Sequence, residues 1–208
     1  MPKTDGYKTK EKIMAVAEQL FAEKGFNGTS IDKIARNAGV NKGLIYYHFK
    51  DKQDIVVSIF RGILKEIDQS VGKSIQIPHH QDDDLSLQQK IRDEIEFCAR
   101  RRKIISVMLM EALKADGNAD FLFQCAQMVI QQEMDGIPKK VTESDSFDAE
   151  NRTRYFLHEF FTGFMPIIAF VSLQEKWSTY FGCDNEKALD YFIEAFTQTH
   201  IEGHLAGQ

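Results

Sequence analysis

Apolar residues recur at helical spacing along almost the whole chain, and this pattern predicts an all-α protein. In the first segment the apolar positions follow i, i+4, i+7 and i+8, which is one face of a helix over residues 9–24. A second, shorter helix begins near Ile31 and ends at Gly39, and a third begins after Asn41. The same spacing predicts six further helices, over about residues 51–75, 86–102, 103–115, 118–135, 149–177 and 185–205.

Cap signals mark the ends of the two short helices. Thr29, with Asp32 three residues later, has the form of a capping box that places the Thr29 hydroxyl at the N-cap. Gly39 ends this helix, and Asn41 is a competent N-cap for the next one. Two short helices joined by so tight a turn form a helix-turn-helix when they cross at a steep angle.

Such a crossing makes three demands on the sequence. The first helix needs a small residue where the second passes over it, the turn needs a glycine, and the second helix needs an apolar anchor. Ala35, Gly39 and Ile45 meet these demands. The residues around the turn therefore predict a helix-turn-helix, which is a DNA-binding motif.

The second helix of the motif has one inward and one outward face. At 100° per residue, Ile45 and Phe49 point into the small domain, while Gly43, Leu44 and Tyr47 point outward. An exposed face with apolar and aromatic groups is costly unless something covers it. A DNA major groove fits, because it admits one helix between two rows of phosphates.

Charge and composition agree with a DNA-binding end on a globular protein. The formal net charge is −5, but residues 1–60 carry ten basic and seven acidic side chains. The remaining residues carry sixteen basic and twenty-four acidic side chains. A basic end on an acidic body could orient the chain on a polyanion. No signal-peptide core and no apolar run of membrane-spanning length is apparent, and three separate cysteines suit reduced thiols, so we expect a cytoplasmic protein.

The stretch GFNGTSIDKIARNAGVNKGLIYYHFKDKQDI (25–55) resembles the DNA-binding domain of the TetR family of transcriptional regulators. The resemblance covers roughly residues 8–60 and rests on the turn, the caps and the Tyr-Tyr-His-Phe-Lys-x-Lys run in register. It implies that Gly43 and Leu44 lie nearest the bases. It also implies phosphate contacts by seven further residues, Thr29, Ser30, Lys42, Tyr46, Tyr47, His48 and Lys52. Asn41 and Leu44 depart from the commonest family pattern.

Residues 1–60 are accordingly expected to form the helix-turn-helix domain, and residues 61–208 a larger helical ligand-binding and dimerisation domain. The resemblance implies a homodimer in which the last two long helices pair with a second subunit. The segment 155–177 is apolar almost all round, which agrees with burial on more than one side. Pro166, with Gly163 before it, is expected to kink this helix.

The second domain is rich in adaptable apolar side chains. Twelve of sixteen phenylalanines and five of seven methionines lie between residues 97 and 196, which suits a pocket for a hydrophobic or aromatic small molecule. The predicted lining comprises Phe97, Met108, Phe121, Met128, Phe161, Phe164 and Met165, with Glu111, Gln124 and His158 as polar members. An effector in this pocket is expected to move the two helix-turn-helix domains of the dimer further apart than the operator half-sites allow, and so to release DNA.

Two other functions are weighed against this hypothesis. One is an effector-independent DNA-binding scaffold, which would have a solidly packed second domain. The other is a hydrolase that uses HIEGH (200–204), but its glutamate is misplaced for a zinc-protease motif. HHQDDD (79–84) is better explained as a solvated linker than as a metal site. We therefore expect no enzyme activity, no cofactor and no metal.

Overall fold

The computed structural model describes residues 3–70, 84–114, 119–136 and 148–201. Helices account for nearly all of these residues, and the described ranges contain no strand. The all-α prediction is therefore confirmed. Residues 79–83 of the HHQDDD segment fall outside the described residues, and its last residue, Asp84, begins a helix.

Four helices make up the N-terminal part. They are α1 (Lys3–Lys24), α2 (Ile31–Ala38), α3 (Lys42–His48) and α4 (Lys52–Ser70). Helix α1 begins six residues before the predicted start at residue 9. Its apolar stripe packs against the next helices, and the fully or almost fully buried side chains are Ile13, Ala17, Phe21, Ile34, Ile45, Phe49 and Ile55.

The later part of the chain contains six α-helices and two π-helical segments among the described residues. They are α5 (Asp84–Arg100), α6 (Arg102–Ala112), α7 (Asp120–Gly136), α8 (Ala149–His158), π1 (Glu159–Phe164), α9 (Met165–Phe181), α10 (Asn185–Phe196) and π2 (Thr197–Ile201). The two long helices expected at 149–177 and 185–205 are therefore each interrupted by a widened turn, which the periodicity alone does not reveal.

Pro166 explains the position of the first π segment. A proline inside an α-helix removes one hydrogen bond, and its ring collides with the carbonyl four residues earlier, here that of Thr162. In the structure the turn that contains Thr162 is π-helical, and α-helical geometry resumes at Met165, with Pro166 in its first turn. The sequence expectation of a break at Pro166 thus takes the form of a π segment.

The chain divides into two compact units. The first comprises Met1–Leu64 together with Lys103–Cys125, and the second comprises Lys65–Arg102 together with Ala126–Gln208. Within the first unit the Phe121 ring stacks on the Phe26 ring, with 6.3 Å between centroids. The expected division into residues 1–60 and 61–208 does not include this later segment in the N-terminal unit.

The second unit is held by packing among α5, α9 and α10. The rings of Phe170 and Phe192 stack with 4.1 Å between centroids. Arg92 pairs with Asp190, and its guanidinium lies 3.7 Å from the Glu186 carboxylate. The two Arg92 contacts join residues nearly one hundred positions apart in sequence, and they fix α10 against α5.

The stretch Ala149–Phe181 is long and apolar enough, by length and composition alone, to cross a membrane. This differs from the expectation that no run reaches that length. Core helices of globular proteins meet the same criterion. Only 28% of its most apolar window is buried within the chain, so much of that apolar surface is exposed in a single copy.

Cys98, Cys125 and Cys183 are free thiols, as expected. Cys125 is buried, while the other two are partly exposed. Burial raises the pKa of the Cys98 thiol to about 12, and it also raises the pKa of Cys125. These two thiols are therefore protonated and unreactive at neutral pH.

Candidate nucleic-acid interface

The turn between α2 and α3 has the geometry that its sequence predicts. Gly39 has a φ of 63°, in the left-handed region that favours glycine, and ends α2. The Val40 N–H donates to the Ala35 carbonyl at 3.0 Å, which satisfies an orphan carbonyl of α2. Asn41 then caps α3, and its Oδ1 accepts from the Leu44 N–H at 2.8 Å. The predicted glycine terminus and asparagine cap are both confirmed.

Helix α3 is anchored from one side and open on the other. Ile45 and Phe49 are 0% and 2% exposed, which confirms them as the inward anchors. Tyr46 is 50% exposed and Tyr47 79% exposed, so both phenols are available to a partner. Leu44 is half-buried. An exposed aromatic pair on a rigidly capped helix is a surface suited to contact outside the protein.

Lys42 begins this helix and pairs with an acidic residue of α2. Its ammonium lies 3.0 Å from the Asp32 carboxylate, and both side chains remain largely exposed. The hydrogen bond with Asp32 raises the pKa of Lys42. An exposed ion pair is worth little in water, so Lys42 can exchange Asp32 for a phosphate at small cost.

The Thr29 side chain, expected to contact phosphate, does not face outward. The residue is 1% exposed. Its Oγ1 lies 3.0 Å from the Leu20 carbonyl and 3.0 Å from the Gly25 carbonyl, to which it donates. The N-cap of α2 is instead Ser30, whose exposed Oγ accepts from the Lys33 N–H at 3.2 Å. Thr29 therefore joins α1 to the start of α2.

Lys52 is also turned toward the protein. Its ammonium donates to the carbonyls of Phe26 and Thr29 at 2.8 Å and 3.0 Å and lies 4.0 Å from the centroid of the Phe26 ring. Burial lowers the pKa of Lys52, and the Glu111 carboxylate opposes this shift. Two of its three donors are thus used to hold the turn between α1 and α2, which leaves one for a phosphate.

His48 is only partly accessible. Its Nε2 is buried and has no hydrogen-bond partner among the described residues. Burial and, second, the charge of Lys10 lower the pKa of His48. The Lys10 ammonium lies 5.3 Å from the centroid of the Phe49 ring, so α1 adds a cation beside α3. Sequence reasoning missed Lys10, because its proximity to α3 depends on how α1 packs.

The predicted pocket residues are divided between the two units. Met108, Glu111 and Phe121 are buried in the first unit, whereas Gln124 is exposed there. In the second unit Phe97 and Phe164 are buried, Met128 and Met165 are half-buried, and His158 and Phe161 are exposed. The Lys114 ammonium lies 2.5 Å from the Glu111 carboxylate.

The HIEGH segment offers no zinc pair among the described residues. His200 is buried, and His204 lies outside the described part of the chain. In the described ranges, no group of three or more His, Cys, Asp or Glu side chains is arranged to hold a metal ion. His200 instead contacts π1.

Residues 13–59 match the family described as bacterial regulatory proteins, tetR family. The repressor BepR of Brucella suis biovar 1 (strain 1330) is 47% identical over 57 residues, which is 27% of this chain and 27% of that protein. The Fatty acid metabolism regulator protein of Bacillus subtilis (strain 168) is 42% identical over 50 residues, 24% of this chain and 26% of that protein. The matched segments thus span about a quarter of these relatives.

Solved structures resemble the whole fold. NalD of Pseudomonas aeruginosa, described as the secondary repressor of the MexAB-OprM multidrug efflux pump, superimposes with a TM-score of 0.57 and 18% identity, covering 93% of this chain and 97% of that one. A transcriptional regulator from Rhodococcus sp. gives a TM-score of 0.59 at 16% identity, covering 93% and 99%. At such identity the likeness establishes the fold, a helix-turn-helix domain followed by a larger helical domain.

Proposed function

We propose that this chain, whose residues 13–59 match the tetR family of bacterial regulatory proteins, is a DNA-binding transcriptional repressor that a hydrophobic small molecule releases from a palindromic operator. The matched family consists of regulators, which favours regulation over enzyme activity for this chain. The observation that carries the proposal is the open face of α3, where Tyr46 and Tyr47 project beside Lys42 from a helix fixed by Ile45 and Phe49.

This face carries hydrogen-bond donors at its edges, where they would meet phosphates. At its centre, nearest the bases, the side chains are small or apolar. The tyrosine hydroxyls and the Lys42 ammonium donate to phosphates, as does Ser30 at the start of α2. Gly43 allows the backbone to approach the bases closely, and Leu44 contacts a thymine methyl. Because neither of these two residues can read bases by side-chain hydrogen bonds, DNA shape supplies much of the specificity.

Selection of bound fragments from the source genome, followed by quantitative binding, tests this proposal. Tyr47→Ala and Lys42→Ala should each reduce affinity for the selected DNA by roughly 5- to 20-fold, the loss of one phosphate contact. Leu113→Ala is the control, because Leu113 is 73% exposed and lies outside both α3 and the proposed dimer surface. Unchanged affinity in both α3 variants would remove this face as the DNA contact. Affinity should also fall steeply with added salt.

A homodimer is supported by the apolar surface of α8, π1 and α9. The exposed large side chains there are Leu157, Phe161, Leu173, Trp177, Tyr180 and Phe181, and Tyr191 is exposed on α10. A second copy would bury them, as in a four-helix bundle of two helices from each subunit. Phe161→Asp should give a monomer by light scattering, whereas Leu113→Asp, exposed in the first unit, should not. A dimer that persists in Phe161→Asp would argue against this interface.

The effector is proposed to be a hydrophobic small molecule. Support comes from the Phe- and Met-rich second half and from two similar proteins, one named for a multidrug efflux pump and one for fatty acid metabolism. Thermal unfolding in a panel of hydrophobic compounds should reveal a stabilising ligand, which should also release the selected DNA. If no compound stabilises the protein or releases it from the selected DNA, the effector-independent scaffold would be favoured.

A further inference from the structure

The two π segments of the second unit bring a buried histidine against a buried carboxylate. His200 of π2 and Glu159 of π1 are 6% and 3% exposed. The His200 Nε2 lies 3.5 Å from the Glu159 Oε2, and its Nδ1 lies 2.8 Å from the Thr162 Oγ1. A Cβ on Gly163 would lie 2.9 Å from the imidazole, so only glycine allows this approach. π segments are frequent at functional sites.

The position of one proton follows from the contacts of Thr162. Its Oγ1 donates its single proton to the His158 carbonyl at 2.8 Å and lies 3.3 Å from the His158 Nδ1. The Thr162 oxygen can then only accept from His200. The His200 Nδ1 therefore carries a proton.

A second proton is required on the other side of the ring. A neutral imidazole has one N–H, and here it is on Nδ1, so the Nε2 of a neutral His200 would turn its lone pair toward the Glu159 carboxylate. That arrangement is repulsive in a buried site. We propose that His200 and Glu159 share one retained proton in the folded protein and so form a proton-dependent latch between π1 and π2.

Other groups face this pair. From α8, His158 lies with its Nδ1 3.6 Å from the Glu159 Oε1, and its ring stacks on His200 with 5.9 Å between centroids. From α10, the Phe196 ring lies 5.0 Å from the His200 ring and adds no charge. His158 is 45% exposed, whereas His200 and Glu159 are both buried. The latch is therefore the His200–Glu159 pair, and His158 is a neighbour that a control can separate from it.

The direction of the pH dependence follows from the proton count. The unfolded chain loses the histidine proton above about pH 6.5, whereas the folded pair keeps one. The stabilisation is fully present below about pH 6.5 and is lost as pH rises until the pair releases its proton. Below about pH 4.3 the unfolded glutamate takes up a proton that the folded ion pair resists, so stability falls again.

Denaturant unfolding of the full chain from pH 5 to 8, below the range in which unfolded thiols lose their protons, tests the latch. One retained proton makes the unfolding equilibrium constant rise about tenfold per pH unit above pH 6.5. Glu159→Gln keeps the shape and supplies an amide N–H to Nε2, so this slope should disappear while the protein stays folded. His158→Gln is the matched control and should keep the slope. An equal slope in wild type and Glu159→Gln would overturn the proposal.

The protonation of His200 can also be measured directly in the wild-type protein, so that the test does not depend on whether the variants fold. Nitrogen NMR of the His200 ring at pH 7.5 should show a protonated Nδ1, and either a second ring proton or an Nε2 hydrogen-bonded to a carboxylic acid. A His200 that loses its Nε2 proton near pH 6.5, like an exposed histidine, would overturn the proposal, as would a neutral ring protonated only at Nε2.

Discussion

The Lys52 ammonium donates to the Phe26 carbonyl at 2.8 Å and lies 4.0 Å from the centroid of the same residue's ring. One side chain at the start of α4 thereby holds both the backbone and the ring of the turn that follows α1. The Phe26 ring in turn stacks on Phe121 in the same unit. A lysine that sequence alone assigns to phosphate binding is thus a structural member of the first unit.

Lys52→Met should destabilise the protein by about 1–3 kcal/mol, because it keeps the apolar stem but leaves two carbonyls without their charged donor. Lys42→Met should leave stability nearly unchanged, because the Lys42–Asp32 pair is exposed and screened by water. Urea unfolding of both variants provides the comparison. Equal stability of the two would mean that Lys52 contributes nothing to the turn.

Gly39 and Gly43 should respond in opposite ways to alanine. At Gly39 the φ of 63° makes alanine cost about 1–2 kcal/mol, without a loss of DNA affinity in the folded fraction. At Gly43 alanine should raise helix stability by up to about 1 kcal/mol, because the new Cβ meets only the Asn41 Oδ1, at 3.4 Å. Its affinity for selected DNA should fall, because the Cβ separates the backbone from the groove. Undiminished affinity in Gly43→Ala would contradict a close approach at this position.

The pKa of His48 should rise when Lys10 is removed. Burial and the Lys10 charge both lower this pKa, so His48 is neutral at pH 7 in the folded protein. Because the folded pKa is lowered, protonation favours the unfolded chain, and this group costs stability as pH falls below about 6.5. An NMR titration of Lys10→Ala should give a higher pKa than wild type. Lys8→Ala is the control, and an equal rise there would indicate a general field effect.

Phe121→Leu should destabilise the first unit by about 1–3 kcal/mol, because the Phe121 ring is 1% exposed and stacks on Phe26. Phe123→Leu, at a 54% exposed position on the same helix, should have little effect. If Phe121 also lines the effector pocket, its variant should weaken effector binding beyond the loss in stability. Isothermal titration on the folded fraction separates these two roles.

Local signals along the sequence predict much of the helix-turn-helix formed by α2 and α3. Gly39 and Asn41 were recognisable because a left-handed glycine and an N-cap each depend on a few neighbouring residues. Ile45 and Phe49 followed from helical periodicity. The N-cap was misplaced by one residue, because Thr29 and Ser30 carry the same hydroxyl. Their roles are separated by the Leu20 carbonyl, which lies nine residues earlier in the chain.

Features that depend on distant packing were not predictable in the same way. Lys52 has the same donors whether it meets a phosphate or the carbonyls of another turn, and only the folded unit decides between them. Lys103–Cys125 joins the N-terminal unit through contacts such as Phe26–Phe121, which have no periodic signature. The π segments also escape helical periodicity, because one widened turn shifts the register only slightly.

The pairing of Lys42 with Asp32 changes what happens to ions when α3 meets DNA. An isolated lysine is neutralised by mobile anions from the solvent. Lys42 is neutralised instead by the Asp32 carboxylate, which is part of the protein. If a phosphate displaced Asp32, as the proposed function implies, the carboxylate would remain attached to the protein close to that phosphate. Its negative charge would then repel the DNA backbone, and a groove that keeps Asp32 away from the phosphates would be bound in preference to one that does not.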